Sequence, residues 1–188
     1  EARRFAGDIA GFTGKTPVLI TERDFVFYNV EGVSRQGEHG RINALYKLLN
    51  GANPVVATID GICQRTMPPR IMKELSLEIE MNSSFPPEKL TEILISGGYS
   101  RCQQVEGPGQ FALRGGILDF YSPAQEYPVR IEFWGDEIDS MSFFDPSTQR
   151  RTEVIEKAAI LPACEVLPDM YSGASGSGAK GLAGQIRE

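Results

Sequence analysis

The stretch Val129-Arg130-Ile131-Glu132-Phe133-Trp134 decides how this chain is read. Its side chains alternate with period two, and a strand points successive side chains to opposite faces. Val129, Ile131 and Phe133 therefore share a core face, while Arg130, Glu132 and Trp134 share the other. Tryptophan and arginine together on an exposed face are the residue types enriched at interface hot spots. Working outward, Arg114 falls opposite the core-facing pair Phe111 and Leu113, and Gly115-Gly116 lets that strand bend or bulge. If the two strands pair, their arginines form one surface suited to a carboxylate-bearing partner. The pattern alone also fits ordinary surface residues, or a face lying under a helix.

Around this stretch the texture is that of an α+β unit with an antiparallel sheet. Leu75, Leu77, Ile79 and Met81 alternate with polar residues, which predicts a half-buried strand. Ser84 followed by Pro86-Pro87-Glu88 predicts a capped helix with Leu90, Ile93 and Leu94 on its apolar face, ended by Gly97-Gly98. From about Tyr99 to Phe144 strand follows strand, with turns at Gly107-Pro108-Gly109, Ser122-Pro123 and Gly135-Asp136.

The first part of the chain has another rhythm. Residues 1–12 predict a helix with Phe5, Ile9 and Phe12 on one stripe, and 17–20 a short buried strand. A helix over 38–49, a strand over 54–58 and a short helix from Asp60 that stops before Pro68-Pro69 continue the alternation of a parallel α/β layer. Only two strands are visible, so the layer reads as part of a larger sheet. Residues 158–161 form a further apolar strand that is expected to rejoin it, and 172–184 is a Gly/Ser-rich flexible segment. The division expected is 1–76 for the first part of a partial α/β layer, 77–157 for an inserted α+β domain, and 158–188 for the return strand and its flexible tail.

Bulk properties narrow the function. The 188 residues are 41% hydrophobic and 23% charged, with a formal charge of −6. That composition is globular, and its sign argues against a chain that simply wraps nucleic acid or anionic lipid. No apolar run reaches the length of a membrane span. The chain starts without Met or a signal sequence and reads as a piece of a longer, cytoplasmic protein. Cys63, Cys102 and Cys164 are far apart, there is one histidine, His39, and a zinc site is not expected; buried reduced thiols are.

Gly14-Lys15-Thr16 invites a phosphate-loop reading. The glycine that should stand five positions before Gly14 is Ile9, and the triplet follows a helix instead of opening one. A helix-to-strand turn is expected. Asp60 in Val55-Val56-Ala57-Thr58-Ile59-Asp60 is followed by Gly61 where a second acid would be needed. No nucleotide-hydrolysing site, cofactor or metal is expected in this chain.

The longer motifs bring in a family. Gly98-Tyr99-Ser100-Arg101, Gln104-Val105-Glu106-Gly107-Pro108-Gly109, Leu113-Arg114-Gly115-Gly116-Ile117-Leu118-Asp119 and the run from Tyr127 through Trp134 to Ser140 resemble the UvrB-homology module of bacterial transcription-repair coupling factor. Phe144-Asp145-Pro146-Ser147-Thr148-Gln149-Arg150 and Ile160-Leu161-Pro162-Ala163 continue the resemblance, as does Arg23-Asp24-Phe25-Val26-Phe27-Tyr28 with Ser34-Arg35 upstream. It covers about residues 3–168. UvrB shares several of these elements, but Thr148-Gln149-Arg150 favours the coupling factor.

The resemblance implies a partial α/β layer of degenerate, ATPase-like UvrB type with an inserted α+β domain that binds the damage-recognition protein UvrA. It implies a non-catalytic adaptor here, with the ATP- and Mg-dependent translocase motor and the contacts to RNA polymerase and DNA elsewhere in the parent. The implied UvrA contacts are Arg114, Arg130 and Trp134, with Arg101 and Glu132 beside them. Trp134 stands where Phe is usual, which preserves an apolar anchor, and Ala112 stands where UvrB has a further arginine. The alternative is the corresponding piece of a UvrB excinuclease subunit, helicase-like and DNA-binding. The acidity has an address: residues 77–157 hold 14 acidic against 7 basic side chains. That favours a protein partner over phosphate there.

Overall fold

The computed structural model describes residues 1–23 and 35–167. The first part holds α1 (Ala2–Thr13), β1 (Val18–Ile20), α2 (Gln36–Leu49), β2 (Val55–Ala57), α3 (Ile59–Cys63) and α4 (Pro69–Leu75). As expected, β1 and β2 pair in parallel, with Val18 opposite Val55 and Ile20 opposite Ala57. Gly14 ends α1 in the left-handed conformation (φ 68°), its N–H donating to the Ala10 carbonyl at 2.9 Å, and β1 follows. The lysine triplet is thus the expected helix-to-strand turn. Thr58 caps α3 by accepting from the Gly61 N–H at 3.0 Å. Any side chain on Gly61 would meet the Thr21 and Ile20 backbone at 2.9–3.0 Å, so the close approach of α3 to β1 requires glycine.

The second part comprises β3 (Leu77–Glu80), α5 (Pro87–Ser96), β4 (Ser100–Arg101), β5 (Gln110–Arg114), β6 (Ile117–Phe120), β7 (Val129–Trp134), β8 (Glu137–Phe144), β9 (Arg151–Val154) and β10 (Lys157–Ile160). Strands β4 to β9 form a six-stranded sheet in chain order, antiparallel except for the β4–β5 pair. Leu90 and Leu94 of α5 are fully buried in one cluster with Phe111, Leu118, Phe120, Val129, Ile131, Ile138 and Met141. Each such side chain contributes ~1.5–3 kcal/mol on burial. Val129 and Ile131 thus occupy the core face that alternation predicts, and Phe133 packs against it half-buried.

Several expectations are corrected. Strand β10 does not join β1 or β2; it pairs antiparallel with β3, Ile160 opposite Leu77, because the core of the second part claims Ala158 and Ile160. Pro86, not Ser84, stands at the cap of α5 and makes no side-chain cap bond, while Ser84 bridges to Glu137. Leu75 ends α4 instead of opening β3, since Pro69 starts a helix of its own. The helix expected over 1–12 is present as α1, with Phe5 and Phe12 of its stripe 59% and 92% exposed. Strand β9, exposed along its whole length, lacks the apolar alternation that would announce it. Cys63 is exposed, and Cys102 and Cys164 are only half-buried, in place of three buried thiols. The Gly/Ser-rich segment 172–184 and the motif 24–28 lie outside the described residues.

The chain after β10 does return to the first part, but through side chains. Leu161 and Leu167 pack with Ile42, Met67 and Met72. Beside them Arg41, fully buried, donates through Nε to both carboxylate oxygens of Glu165 at 3.0 Å and through Nη1 to the carbonyls of Thr21 (2.7 Å) and Gly61 (2.8 Å). Arg23 also reaches Glu165, at 3.2 Å. One guanidinium therefore ties α2, α3, the residue that follows β1 and the segment after β10 together. Glu165→Ala leaves that cation buried without its partner, and a loss of about 3 kcal/mol in unfolding free energy is expected from urea denaturation.

His39 sits at the same joint, its Nε2–H donating to the Ala163 carbonyl at 3.1 Å. Burial, and secondarily Arg35, hold its pKa below the ordinary 6.5, against the opposing pull of Glu38 and of the Ala163 carbonyl. The unfolded chain then takes up the proton more readily, so stability present above 6.5 is lost as the pH falls through the window below it. Unfolding midpoints measured from pH ~7 down to ~5.5 are expected to fall more steeply in the parent than in His39→Gln, which keeps a donor for Ala163.

Candidate functional site

The sheet face turned away from α5 is built by strand register. Strand β6 lies between β5 and β7, aligning Ala112, Asp119, Arg130 and Ser142 in one row and Arg114, Ile117, Glu132 and Ser140 in the next. The two arginine-bearing strands are thus not neighbours, so the condition that they pair directly is not met. The strand between them places an aspartate where the arginines converge.

Asp119 is fully buried. It accepts from Arg130 twice, Nε to Oδ1 at 2.7 Å and Nη2 to Oδ2 at 2.9 Å, and from Arg114 Nη2 at 2.5 Å. The Arg130 guanidinium also lies 4.6 Å from the centre of the Phe144 ring and donates to the Gln149 carbonyl at 3.1 Å. Its side chain is 14% exposed, against 51% for Arg114. Hydrogen bonding to Asp119 raises the Arg130 pKa despite the opposing effect of burial. Such charge-assisted, two-pronged bonds are the strongest available to a guanidinium, and they offset the desolvation of the carboxylate. The triplet keeps one net positive charge, and Arg114 presents it to solvent.

Gln149 completes this wall. Its backbone is left-handed at φ 59°, and its side chain donates to the carbonyls of Val105 (3.1 Å) and Pro146 (2.7 Å). Val105, Ala112 and Phe144 form a small buried cluster beneath it. The position where UvrB was read to carry a further arginine is therefore interior here.

The remaining predicted residues are placed as follows. Glu132 is half-buried, accepts from Ser140 Oγ at 2.9 Å and pairs with Arg151. Trp134 ends β7 beyond a register shift at Glu132/Phe133 and is 82% exposed. Arg101 is aligned with Phe111 in the parallel β4–β5 pair, which puts it on the α5 side at the sheet edge. The fold gathers Arg114, Arg130, Glu132 and Trp134 on one face and leaves Arg101 off it. Asp119, Phe144, Gln149 and Arg151 were not singled out as site residues from sequence. The signal for Asp119 was present, a lone acid inside the apolar run Ile117-Leu118-Asp119-Phe120.

Residues 77–165, which contain this face, match the UvrB interaction domain. The chain is similar to the transcription-repair-coupling factor of Bacillus subtilis, 32% identical over 169 residues, which is 89% of this chain and 14% of that protein. It is likewise 32% identical over 175 residues to the factor of Myxococcus xanthus, covering 88% of this chain and 15% of that one. UvrABC system protein B of Kosmotoga olearia is 32% identical over 125 residues, covering 66% of this chain and 19% of that protein. The chain thus spans about one seventh of the coupling factors it resembles. Among the described residues no helix is long and apolar enough to cross a membrane.

Exposure separates the two most prominent side chains of this face. Trp134→Ala is expected to leave unfolding free energy within ~0.5 kcal/mol of the parent, as for other exposed positions. Arg130→Ala takes the two-pronged partner from buried Asp119, which keeps only Arg114, and is expected to lower it by about 3 kcal/mol. Urea denaturation of the two variants side by side checks the difference.

Proposed function

We propose that this chain is the part of a transcription-repair coupling factor that docks UvrA, a non-catalytic adaptor between stalled RNA polymerase and excision repair. The observation that carries the reading is the open sheet face of the UvrB interaction domain, where a half-exposed Arg114, a clamped Arg130 and an exposed Trp134 stand together. Arg114 meets a carboxylate of UvrA, Trp134 supplies the apolar anchor, and Arg130 holds the centre of the patch. Glu132, with Arg151 beside it, faces the rim, and Arg101 contributes where the partner wraps the β4 edge. ATP and Mg serve a motor in another part of the parent, which also contacts RNA polymerase and DNA, in the bacterial cytoplasm.

Similarity over about nine tenths of the chain supports the coupling factor over a UvrB subunit, whose similarity covers 66%. Direct DNA binding has less support, because the acidic excess of residues 77–157 surrounds the few arginines. Calorimetric titration of the chain with UvrA is expected to show binding, with Arg114→Ala, Arg130→Ala and Trp134→Ala each weakening it by at least ~2 kcal/mol. Parent-like affinity in all three variants refutes the site. Strongly salt-dependent binding to duplex DNA would favour the nucleic-acid reading instead.

A further inference from the structure

The arginines of the docking face do not stand alone. A free arginine side chain samples many rotamers, and ordering it during association weakens binding. Here the ordering is done beforehand by a residue no partner can touch. Asp119 is fully buried, holds Arg130 through both carboxylate oxygens and reaches Arg114 with the second of them. Phe144 and the Gln149 carbonyl close the remaining sides of Arg130.

We propose that Asp119 is the positioning residue of this face, fixing Arg114 and Arg130 as one pre-set pair of guanidiniums for a carboxylate of the partner. The proposal rests on the docking reading above. Stability alone is a poor reason for a carboxylate on this face, because well-packed apolar side chains often serve as well as a buried ion cluster. The surroundings supply a reason for precision. Residues 77–157 carry 14 acidic against 7 basic side chains, so an acidic partner gains no long-range attraction from the unit as a whole. Its recognition falls to the one net positive charge of the triplet, and a single charge is effective only where its geometry is set.

Asp119→Asn, near in shape and uncharged, tests this in the 188-residue chain by titration with purified UvrA, with circular dichroism as the check on folding. Affinity is expected to fall at least about tenfold. In the Asp119→Asn background, Arg114→Ala is expected to add less than about twofold, since Arg114, left with only the 3.3 Å bond of its Nη1 to the Gln103 carbonyl, has already lost its set geometry and its contribution. Fully independent effects of the two substitutions overturn the proposal, because a role in stability alone leaves the Arg114 contribution intact. Parent-like affinity of Asp119→Asn overturns it too, while the docking reading stands. A parent chain that does not bind UvrA overturns the docking reading and this proposal with it. Should Asp119→Asn fail to fold, Arg130→Lys replaces it: the charge remains, the two-pronged contact is lost, and the same tenfold weakening is expected. Unchanged affinity in that variant overturns the proposal.

Discussion

The packing of Leu90 and Leu94 of α5 onto Phe111, Leu118, Ile131 and Met141 is the constraint on which the rest depends. It buries one face of a six-stranded sheet and leaves the other to water. Antiparallel sheets tolerate such one-sided burial, provided the second face is chemically compatible with solvent. Register then does the work: with Leu118 inward, Asp119 must point outward between Ala112 and Arg130. The Arg114–Asp119–Arg130 face is thus a consequence of where the core sits, and its charges are arranged by the same pairing that forms the core.

That open face is only partly open. Phe144, Val105 and the left-handed Gln149 close over its centre, so Asp119 and most of Arg130 are shielded while Arg114 and Trp134 remain accessible. Shielding strengthens the ion cluster, because charges in a low-dielectric pocket attract more than charges in water. A rigid charged centre with an exposed aromatic beside it is the arrangement in which interface energy concentrates. The joint to the first part uses the same device away from the face. Arg41 and Glu165 pair in full burial, so the return of the chain to α2 depends on one specific contact as well as on apolar packing.

Much of this was legible beforehand, for a local reason. Alternation in 129–134 reports strand faces through backbone geometry alone, so Val129 and Ile131 fell inward as read. Gly14 as a helix stop and the parallel β1–β2 pair followed equally from local pattern. Other features depended on partners far along the chain. Residues 158–161 look like any apolar strand, and only competition between two cores sends β10 to β3. Arg41 looks like a surface arginine on an amphipathic helix until Glu165, 124 residues away, is brought against it.

The amino-acid order by itself determined which side chains of each strand share a face, where most helices begin and end, and that arginine and tryptophan stand opposite a core. Those are consequences of φ/ψ periodicity and of glycine and proline chemistry, which act within a few residues. Only the tertiary structure decided that β6 separates the arginine strands, that Asp119 joins Arg114 to Arg130, and that Arg101 faces the other way. Strand order and register are set by long-range burial, and the pairing of charges follows from them. A period of two places Arg130 on a face; the neighbouring strand decides what that arginine holds.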